Sequence, residues 1–347
     1  MRSSRNRAVI TRRQGCVALA SLAFAALAGR ADAQLAAYPN LVEKKRANAR
    51  GRADSQSSKS KKKDARIEAL IGKIDSTRLT DTLKALTSIP TRFSSSPELA
   101  KARDFIKKQF VDFGYDASRV QLVELKLPNG TVAHSVLCAP ERLDQGFILI
   151  GAHYDAISEK PDVSAPGADD DGSGIAVVLE TARIFEGVGL KRSIMFAAFA
   201  GEEQGLFGSQ AVANLAAKDK WAIDVMVNLD MVAHVDAERP TNIVVEYDQG
   251  NEDPRNDAAA KAFGQQMAQL AADYTGMTVE HTDIWNSDYM PFEARGFPCI
   301  GLYDGAADAP FYHTTQDKIG QVDLARLTEV TALVCAFVAT TAELTSS

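Results

Sequence analysis

Long apolar runs alternate with helix-like patterns along the chain from residue 67 onward. GFILIG at 146–151 and SIMFAAFA at 193–200 are almost continuously apolar, which is typical of strands buried on both faces. Apolar residues recur at helical spacing over 173–187 and 257–274. Strands that alternate with helices predict an α/β fold, a three-layer sandwich in which helices flank a mixed, largely parallel central sheet.

The same signals predict the other elements. Ser96 and Pro97 precede an amphipathic segment and predict the start of a helix. Pro128, Asn129 and Gly130 predict the turn of a hairpin. Further helices are predicted over 67–86, 98–113, 208–217 and 323–341, and further strands over 119–127, 131–139, 222–232, 242–247 and 299–303.

Residues 1–33 have the pattern of a signal peptide. A basic start is followed by a short apolar run at 16–28 and by the small residues Ala31 and Ala33 around Asp32. The run is shorter than the about 20 residues that a membrane-spanning helix needs. We therefore expect export to the periplasm or the extracellular space without stable membrane insertion. Arg12-Arg13 leaves open whether the route is general or twin-arginine.

Charge divides the chain into a basic N-terminal part and an acidic body. Residues 1–33 carry +5 and residues 34–66 carry +7, so residues 67–347 carry −18 within the total of −6. The basic stretch 34–66 predicts a disordered linker or pro-segment, with a tether to a polyanion or a membrane surface as an alternative. We expect the catalytic domain over 67–347. Its acidity argues against nucleic acid as a substrate.

Cysteine usage does not predict a disulfide framework. Removal of residues 1–33 leaves Cys138, Cys299 and Cys335, so at most one disulfide can form. None of the three lies in a CxxC pair, and we interpret them as small buried residues.

Metal-capable side chains come directly after three of the predicted buried strands. His153 follows GFILIGA, Glu202 and Glu203 follow SIMFAAFAG, and Asp230 ends MVNLD. The carboxyl ends of parallel strands meet at one edge of a sheet, where the sites of such folds lie. These side chains are therefore expected close together.

Two further fragments carry candidate ligands. Asp170 is the middle residue of PGADDDGSG, and His313 lies in FYHTTQD. Taken alone, the first can be explained by a helix cap and the second by a loop. Together, two imidazoles and three carboxylates without a thiolate suit two zinc ions bridged by a carboxylate, with one glutamate free as a base.

In this order the fragments resemble the zinc aminopeptidases of family M28, over roughly residues 75–343, and GADDDGSG and AFAGEEQGLFGS are the most specific strings. The resemblance implies two zinc ions per chain and a cis peptide bond after the bridging aspartate. It implies these roles: His153 and Asp230 as ligands of one zinc, Glu203 and His313 as ligands of the other, Asp170 as the bridge, Glu202 as the general base towards a water between the ions, Asp155 as the partner of the His153 ring, and Tyr312 as a group that steadies the tetrahedral intermediate.

One position departs from the family pattern. Many members have a histidine where this chain has Tyr289, after Ser287-Asp288. The change leaves the ligands intact and bears on pocket shape and proton transfer. His134, His234 and His281 match no ligand position, and we interpret them as structural or surface residues.

The sequence thus predicts an exported di-zinc metallopeptidase that removes N-terminal residues from peptides or proteins. Three alternatives stay open: a one-zinc glutaminyl cyclase of related fold, a carboxypeptidase or dipeptidase with the same metal architecture, and a non-catalytic ectodomain. Glu202 argues against the last, because a structural metal site needs no base beside its ligands. Side-chain preference and oligomeric state do not follow from the sequence.

Overall fold

One mixed sheet of eight strands organises the described part of the chain. The computed structural model describes residues 63–347 apart from 251, 306–308 and 346–347. The predicted signal peptide and the predicted linker up to residue 62 lie outside the described residues. Within the described residues, the first helix begins at Ala65, after Asp64, whose carboxylate caps it.

The strands are β1 (Val120–Lys126), β2 (Val132–Cys138), β3 (Phe147–His153), β4 (Ser193–Phe199), β5 (Ile223–Leu229), β6 (Asn242–Glu246), β7 (Thr278–Thr282) and β8 (Cys299–Tyr303). They lie in the order β1-β2-β4-β3-β5-β8-β6-β7. The four central strands β4, β3, β5 and β8 are parallel, and the pairs β1–β2, β2–β4 and β6–β8 are antiparallel. The predicted mixed, largely parallel sheet is therefore confirmed.

Helices flank this sheet. They are α1 (Ala65–Ile71), α2 (Ser76–Thr87), α3 (Leu99–Asp112), α4 (Gly172–Phe185), α5 (Phe207–Lys218), α6 (Asp257–Tyr274), α7 (Met290–Glu293) and α8 (Leu324–Thr341). Helix α4 packs on β3, β4 and β5, and α5 packs on β1 and β2. Helices α4 and α5 therefore cover the strands, whose side chains are almost all buried at the centre of the sheet.

Helix α8 is long and apolar enough to cross a membrane by length and composition alone. In the fold, two thirds of it is buried, against α1, α2, α4 and α6. It is therefore a core helix of this domain. Cys335 on α8, Cys138 and Cys299 are all buried and unpaired, so no disulfide forms among the described cysteines.

Most predicted elements are confirmed, and the differences have local causes. The helix predicted over 67–86 is two helices, since the chain leaves helical geometry after Gly72 and Asp75 caps a new start by accepting from the N–H of Thr77. Strand β7 and the single-turn helix α7 were not predicted. Strand β7 reads Thr-Val-Glu-His-Thr and lies at the sheet edge, where one apolar residue is too weak a pattern.

The topology fixes where the candidate ligands meet. Strands β3, β4 and β5 are parallel neighbours, so their carboxyl ends share one edge of the sheet. His153 is the last residue of β3, the Glu202-Glu203 pair follows β4, and Asp230 comes directly after β5. The predicted placement at this edge is confirmed.

Replacing Phe337 by alanine is expected to destabilise the domain by about 3–5 kcal/mol, the usual cost of removing a large buried aromatic side chain. Phe337 on α8 is fully buried and packs edge to face against Phe263. Chemical denaturation followed by circular dichroism measures the change. Leu324→Ala on the same helix, where the side chain is exposed, should stay within about 0.5 kcal/mol. Equal losses in both variants would contradict the assignment of α8 as a core helix.

Candidate metal centre

His153, Asp170 and Asp230 form the more buried of two ligand groups. The His153 Nε2 atom lies 3.2 Å from Asp170 Oδ1 and 3.6 Å from Asp230 Oδ1. The neighbouring strands β3 and β5 bring the histidine and Asp230 together, because both residues stand at the carboxyl ends of these strands.

The second group consists of Asp170, Glu203 and His313. The His313 Nε2 atom lies 3.1 Å from Asp170 Oδ2 and 3.0 Å from Glu203 Oε2. Asp170 therefore presents one carboxylate oxygen to each group. All the ligands expected from the sequence converge, including His313, which the chain brings back to the site from far along the sequence.

The spacing and chemistry of these atoms fit divalent zinc. In each group the ligand atoms lie within 4.8 Å of one another. A tetrahedral zinc with bonds of about 2.0–2.1 Å keeps its ligand atoms about 3.3 Å apart. The imidazole-to-carboxylate distances here are 3.0–3.6 Å. Nitrogen and oxygen donors are an accepted ligand set for zinc, so each group can hold one ion.

The ligands are electrostatically incomplete without positive charge between them. Burial would lower the pKa of His153, but the carboxylate of Glu202 and three aspartates raise it well above its ordinary value. Burial opposes in the same way at His313, where Glu203 and Asp170 raise the pKa to about 11. Burial would raise the pKa of Asp170, and its imidazole partners hold it below its usual range. A divalent cation supplies the same compensation as the ring protons.

Asp155 holds two parts of the site. Its carbonyl oxygen is 3.2 Å from His153 Nδ1, whereas its nearest carboxylate oxygen is 3.7 Å away. Donation from Nδ1 to this carbonyl leaves Nε2 to face the ligands. The carboxylate itself accepts from Ser94 Oγ at 2.8 Å and from the N–H groups of Glu202 and Glu203 at 3.3 Å. The expected contact with the ring is thus made more closely by the backbone than by the side chain.

Glu202 lies beside Glu203 but belongs to neither ligand group. Burial raises the pKa of its carboxyl group well above the ordinary value, with His153 opposing and the carboxylates of Glu203 and Asp230 adding to the rise. Consecutive residues after β4 thus differ: Glu203 belongs to the second ligand group, and Glu202 belongs to neither group.

The three consecutive aspartates make different contacts. Asp170 faces both groups, and a cis peptide bond joins it to Asp171. Asp171 caps α4 through the N–H of Gly174 at 2.8 Å and also accepts the N–H of His153 at 3.1 Å. Asp169 accepts an N–H from the segment that follows β5. The helix cap expected for this triplet is thus made by Asp171, and Asp170 keeps the position of a candidate metal ligand.

Asp317 is a part of the site that the sequence reasoning missed. Its two carboxylate oxygens accept the N–H groups of Asp169 at 2.9 Å and Asp170 at 3.0 Å. It thereby ties the loop of His313 to the loop of the bridging aspartate. The available signal was its position in the same FYHTTQD fragment as His313.

Arg92 is a second missed residue, and it is fully buried. Its Nε donates to the carbonyl of Tyr154 at 2.8 Å, its Nη2 to the carbonyl of Gly167 at 2.8 Å, and its Nη1 to the carbonyl of Pro166. The side chain joins the end of β3 to the loop that carries Asp170. No local sequence pattern predicts these contacts, since all three acceptors are backbone atoms distant along the chain.

Ser287 supports the remaining ligand. Its hydroxyl donates to Asp230 Oδ2 and accepts from Asn228 Nδ2 at 2.7 Å. The carboxylate of Asp230 is therefore held on the side away from His153. Ser287 begins the Ser-Asp-Tyr string that departs from the family pattern, so its neighbourhood, though not its role, was apparent from the sequence.

A comparison with protein-family models assigns the chain to a family. The model of Peptidase family M28 matches residues 136–338, more than half of the chain. The chain belongs to peptidase family M28. The resemblance found in the sequence is thereby confirmed.

Two curated relatives of this M28 chain carry peptidase names. The "Probable zinc metalloprotease" of Pyrenophora teres f. teres is 32% identical over 201 residues, which cover 51% of this chain and 43% of that protein. The "Probable leucine aminopeptidase" of Arthroderma otae is 26% identical over 288 residues, which cover 79% of this chain and 75% of that protein. The chain spans less than half the length of the Pyrenophora metalloproteases that it matches.

Solved structures share the M28 fold. LapB from Legionella pneumophila superposes with a TM-score of 0.69 at 27% identity, over 81% of this chain and 75% of LapB. A glutaminyl cyclase from Fimbriiglobus ruber superposes with a TM-score of 0.62 at 19% identity, over 82% of this chain and 99% of the cyclase. At that identity, the second likeness shows the fold alone.

Two tyrosines lie near the site of this M28 chain, Tyr312 beside His313 and Tyr289 close to Ser287. The ring of Tyr312 stacks on His313 with 3.7 Å between centroids. Burial, followed by the carboxylates of Asp170 and Glu203, raises the pKa of the Tyr312 phenol, so the hydroxyl stays protonated and can donate. Tyr289, where many M28 members have histidine, is buried, and its hydroxyl lies 2.6 Å from Glu246 Oε2 and 2.7 Å from the carbonyl of Trp285. It fixes the segment before Ser287 through its bonds to Trp285.

The three remaining described histidines stand outside the centre. His134, His234 and His281 belong to neither ligand group. The His234 ring packs against Phe311, and the His281 ring against Tyr247. These contacts agree with a structural interpretation.

Zinc is expected to raise the melting temperature of chelator-treated protein, because it binds the folded centre and not the unfolded chain. At a free concentration a hundredfold above Kd, each site adds about 2.7 kcal/mol. Thermal melting followed by circular dichroism measures the rise. Asp170→Ala removes an oxygen from both groups and should show little of it. Asp81→Ala, an exposed change on α2, should behave as the wild type. An unchanged melting temperature in the wild type would contradict metal binding at this site.

Proposed function

We propose that this M28 protein is an exported di-zinc aminopeptidase that hydrolyses the peptide bond after a free N-terminal residue. The observation that carries the proposal is the sharing of Asp170, which presents one oxygen to each of two ligand groups. Five ligands in two groups around one carboxylate suit a pair of ions better than a single ion. Export is supported by the signal-peptide pattern of residues 1–33.

The side chains around the two groups have the properties that peptide hydrolysis needs. When bound, two zinc ions supply Lewis acidity for the scissile carbonyl and lower the pKa of the attacking water. Glu202 follows β4 beside the candidate ligand Glu203 and belongs to neither ligand group, so its carboxylate is free for proton transfer. It can take the proton of the water and deliver it to the leaving amine. We assign to the Tyr312 hydroxyl the role of donor to the oxyanion, because its ring stacks on His313.

The charge around the site favours recognition of a substrate amino group. In the described part of the chain, the ion pairs of the ligand carboxylates are with the imidazoles of His153 and His313. Arg92 lies near these carboxylates, but it is buried and its guanidinium donates to backbone carbonyls. A carboxypeptidase or dipeptidase must bind a free substrate carboxylate, which the acidic side chains clustered at the site would disfavour.

A glutaminyl cyclase is the second candidate, because solved cyclases share this fold. That reaction closes the N-terminal glutamine on its own amine and needs one metal ion. A single ion could be held by Asp170, Glu203 and His313, but it would not explain why His153 and Asp230 converge on the other oxygen of Asp170 as a further ligand group. We therefore favour the peptidase.

Glu202→Gln should lower kcat for an aminoacyl p-nitroanilide by a hundredfold or more, about the effect expected for loss of a general acid–base group. Zinc content should stay at the wild-type value, since Glu202 lies in neither ligand group. Elemental analysis and a chromogenic assay measure the two quantities. Glu141→Gln, a change of an exposed glutamate, is the matched control.

The choice of substrate separates the candidates. An N-acetylated analogue should be inert, because the proposed recognition needs the free amine. A variant at position 202 that retains full activity would remove Glu202 from the reaction. Conversion of N-terminal glutamine to pyroglutamate by wild-type protein, without p-nitroaniline release, would replace the peptidase by the cyclase.

A further inference from the structure

His313 is the ligand that the fold itself holds least firmly. Its side chain is 37% exposed, whereas that of His153 is 1% exposed. His313 lies outside any helix or strand, and its φ of +54° is in the left-handed region, which is unfavourable for a residue with a Cβ atom. His153, in contrast, is the last residue of a buried strand. The position of the His313 ring therefore depends on contacts made by its loop.

Besides Asp317, Glu159 joins this loop to the rest of the site. Its Oε2 accepts the backbone N–H of Thr315 at 2.8 Å, and its Oε1 accepts the Thr315 hydroxyl at 2.8 Å. Thr315 comes two residues after His313. Two donors of one residue on the two oxygens of one carboxylate fix orientation as well as distance. Burial would raise the pKa of Glu159, but these hydrogen bonds lower it, so the carboxylate is ionised at neutral pH.

The loop that carries Glu159 is itself well anchored. The Ser158 hydroxyl donates to the carbonyl of Ser164 and accepts the N–H of Lys160 at 2.9 Å, which closes the loop on itself. The N–H of Ile157 donates to Glu203 Oε1 at 3.1 Å, which ties the same loop to a ligand of the second group. Glu159 thus extends from a fixed support that already contacts the partner of His313.

The more buried group does not use this support. His153 is held by Asp155 and Asp171, and Asp230 is held by Ser287. A change at Glu159 should therefore act on one group and leave the other unaltered.

We propose that Glu159 is a positioning residue for His313 and sets the affinity of the Asp170–Glu203–His313 group for its metal ion. The inference rests on the proposed two-zinc function. Without the bond to Thr315, the loop gains freedom that metal binding must remove again, and the ring nitrogen spends less time facing Asp170 and Glu203. Loss of such an outer partner of a ligand typically weakens metal binding about 10–100-fold.

Zinc titration of chelator-treated protein against a chromogenic competitor tests the inference. Wild type should bind two ions. Glu159→Ala should bind the first ion with wild-type affinity and the second about 10–100-fold more weakly. Asp162→Ala removes the same charge from an exposed position of the same loop and should leave both affinities unchanged.

A second variant tests the route of the effect. Thr315→Val removes the hydroxyl donor and keeps the backbone N–H, so it should weaken the second ion less than Glu159→Ala. In the double variant, the loss of affinity for the second ion should be smaller than the sum of the two single losses and close to that of Glu159→Ala alone, because both changes act on one contact.

Three results would overturn the inference. One is equal weakening of both ions, or of neither, in Glu159→Ala. Another is a lower melting temperature of this variant already in the metal-free state, which would show a general structural role. The third is fewer than two ions in wild type, which would overturn the two-zinc function as well. Peptide hydrolysis by wild type is measured separately. If wild type binds two ions and hydrolyses peptides but Glu159→Ala does not weaken the second ion selectively, only the positioning role of Glu159 fails.

Discussion

Buried negative charge at the carboxyl edge of the sheet is the constraint on which this structure depends. A carboxylate that leaves water needs hydrogen-bond donors or a cation in return. Asp169 and Asp171 obtain backbone N–H groups, and so does Asp317. Asp170 obtains an imidazole on each of its two oxygens. The centre of the cluster is therefore the place where positive charge, whether ring protons or divalent ions, must be supplied.

The loops around the centre are connected so that this arrangement persists. Arg92 joins the end of β3 to the loop of Asp170, and Asp317 joins that loop to the loop of His313. Glu159 joins the loop after β3 to the loop of His313. Strands fix His153 and Asp230 directly, whereas loop contacts fix the second group. The two halves of the centre thus differ in how the fold holds them.

The sequence predicted the sheet and the ligands because both leave local patterns. Continuous apolar runs indicate central strands, and a charged residue at the end of such a run, as at His153 and Asp230, is expensive to bury without a partner. Supporting residues leave no such pattern. Arg92 donates to backbone carbonyls that are distant in sequence. Glu159 is an exposed glutamate, and its partner Thr315 is also far away along the chain. Strand β7 was missed for the related reason that an edge strand needs few apolar residues.

The proposed function requires that Asp170 bridge two metal ions. Anomalous scattering at the zinc edge from crystals of zinc-loaded protein tests it most directly. If Asp170 bridges two ions, two anomalous peaks are expected, one in contact with His153 and Asp230, the other in contact with Glu203 and His313, and both in contact with Asp170. One peak alone, or two peaks of which either lies away from Asp170, would contradict it.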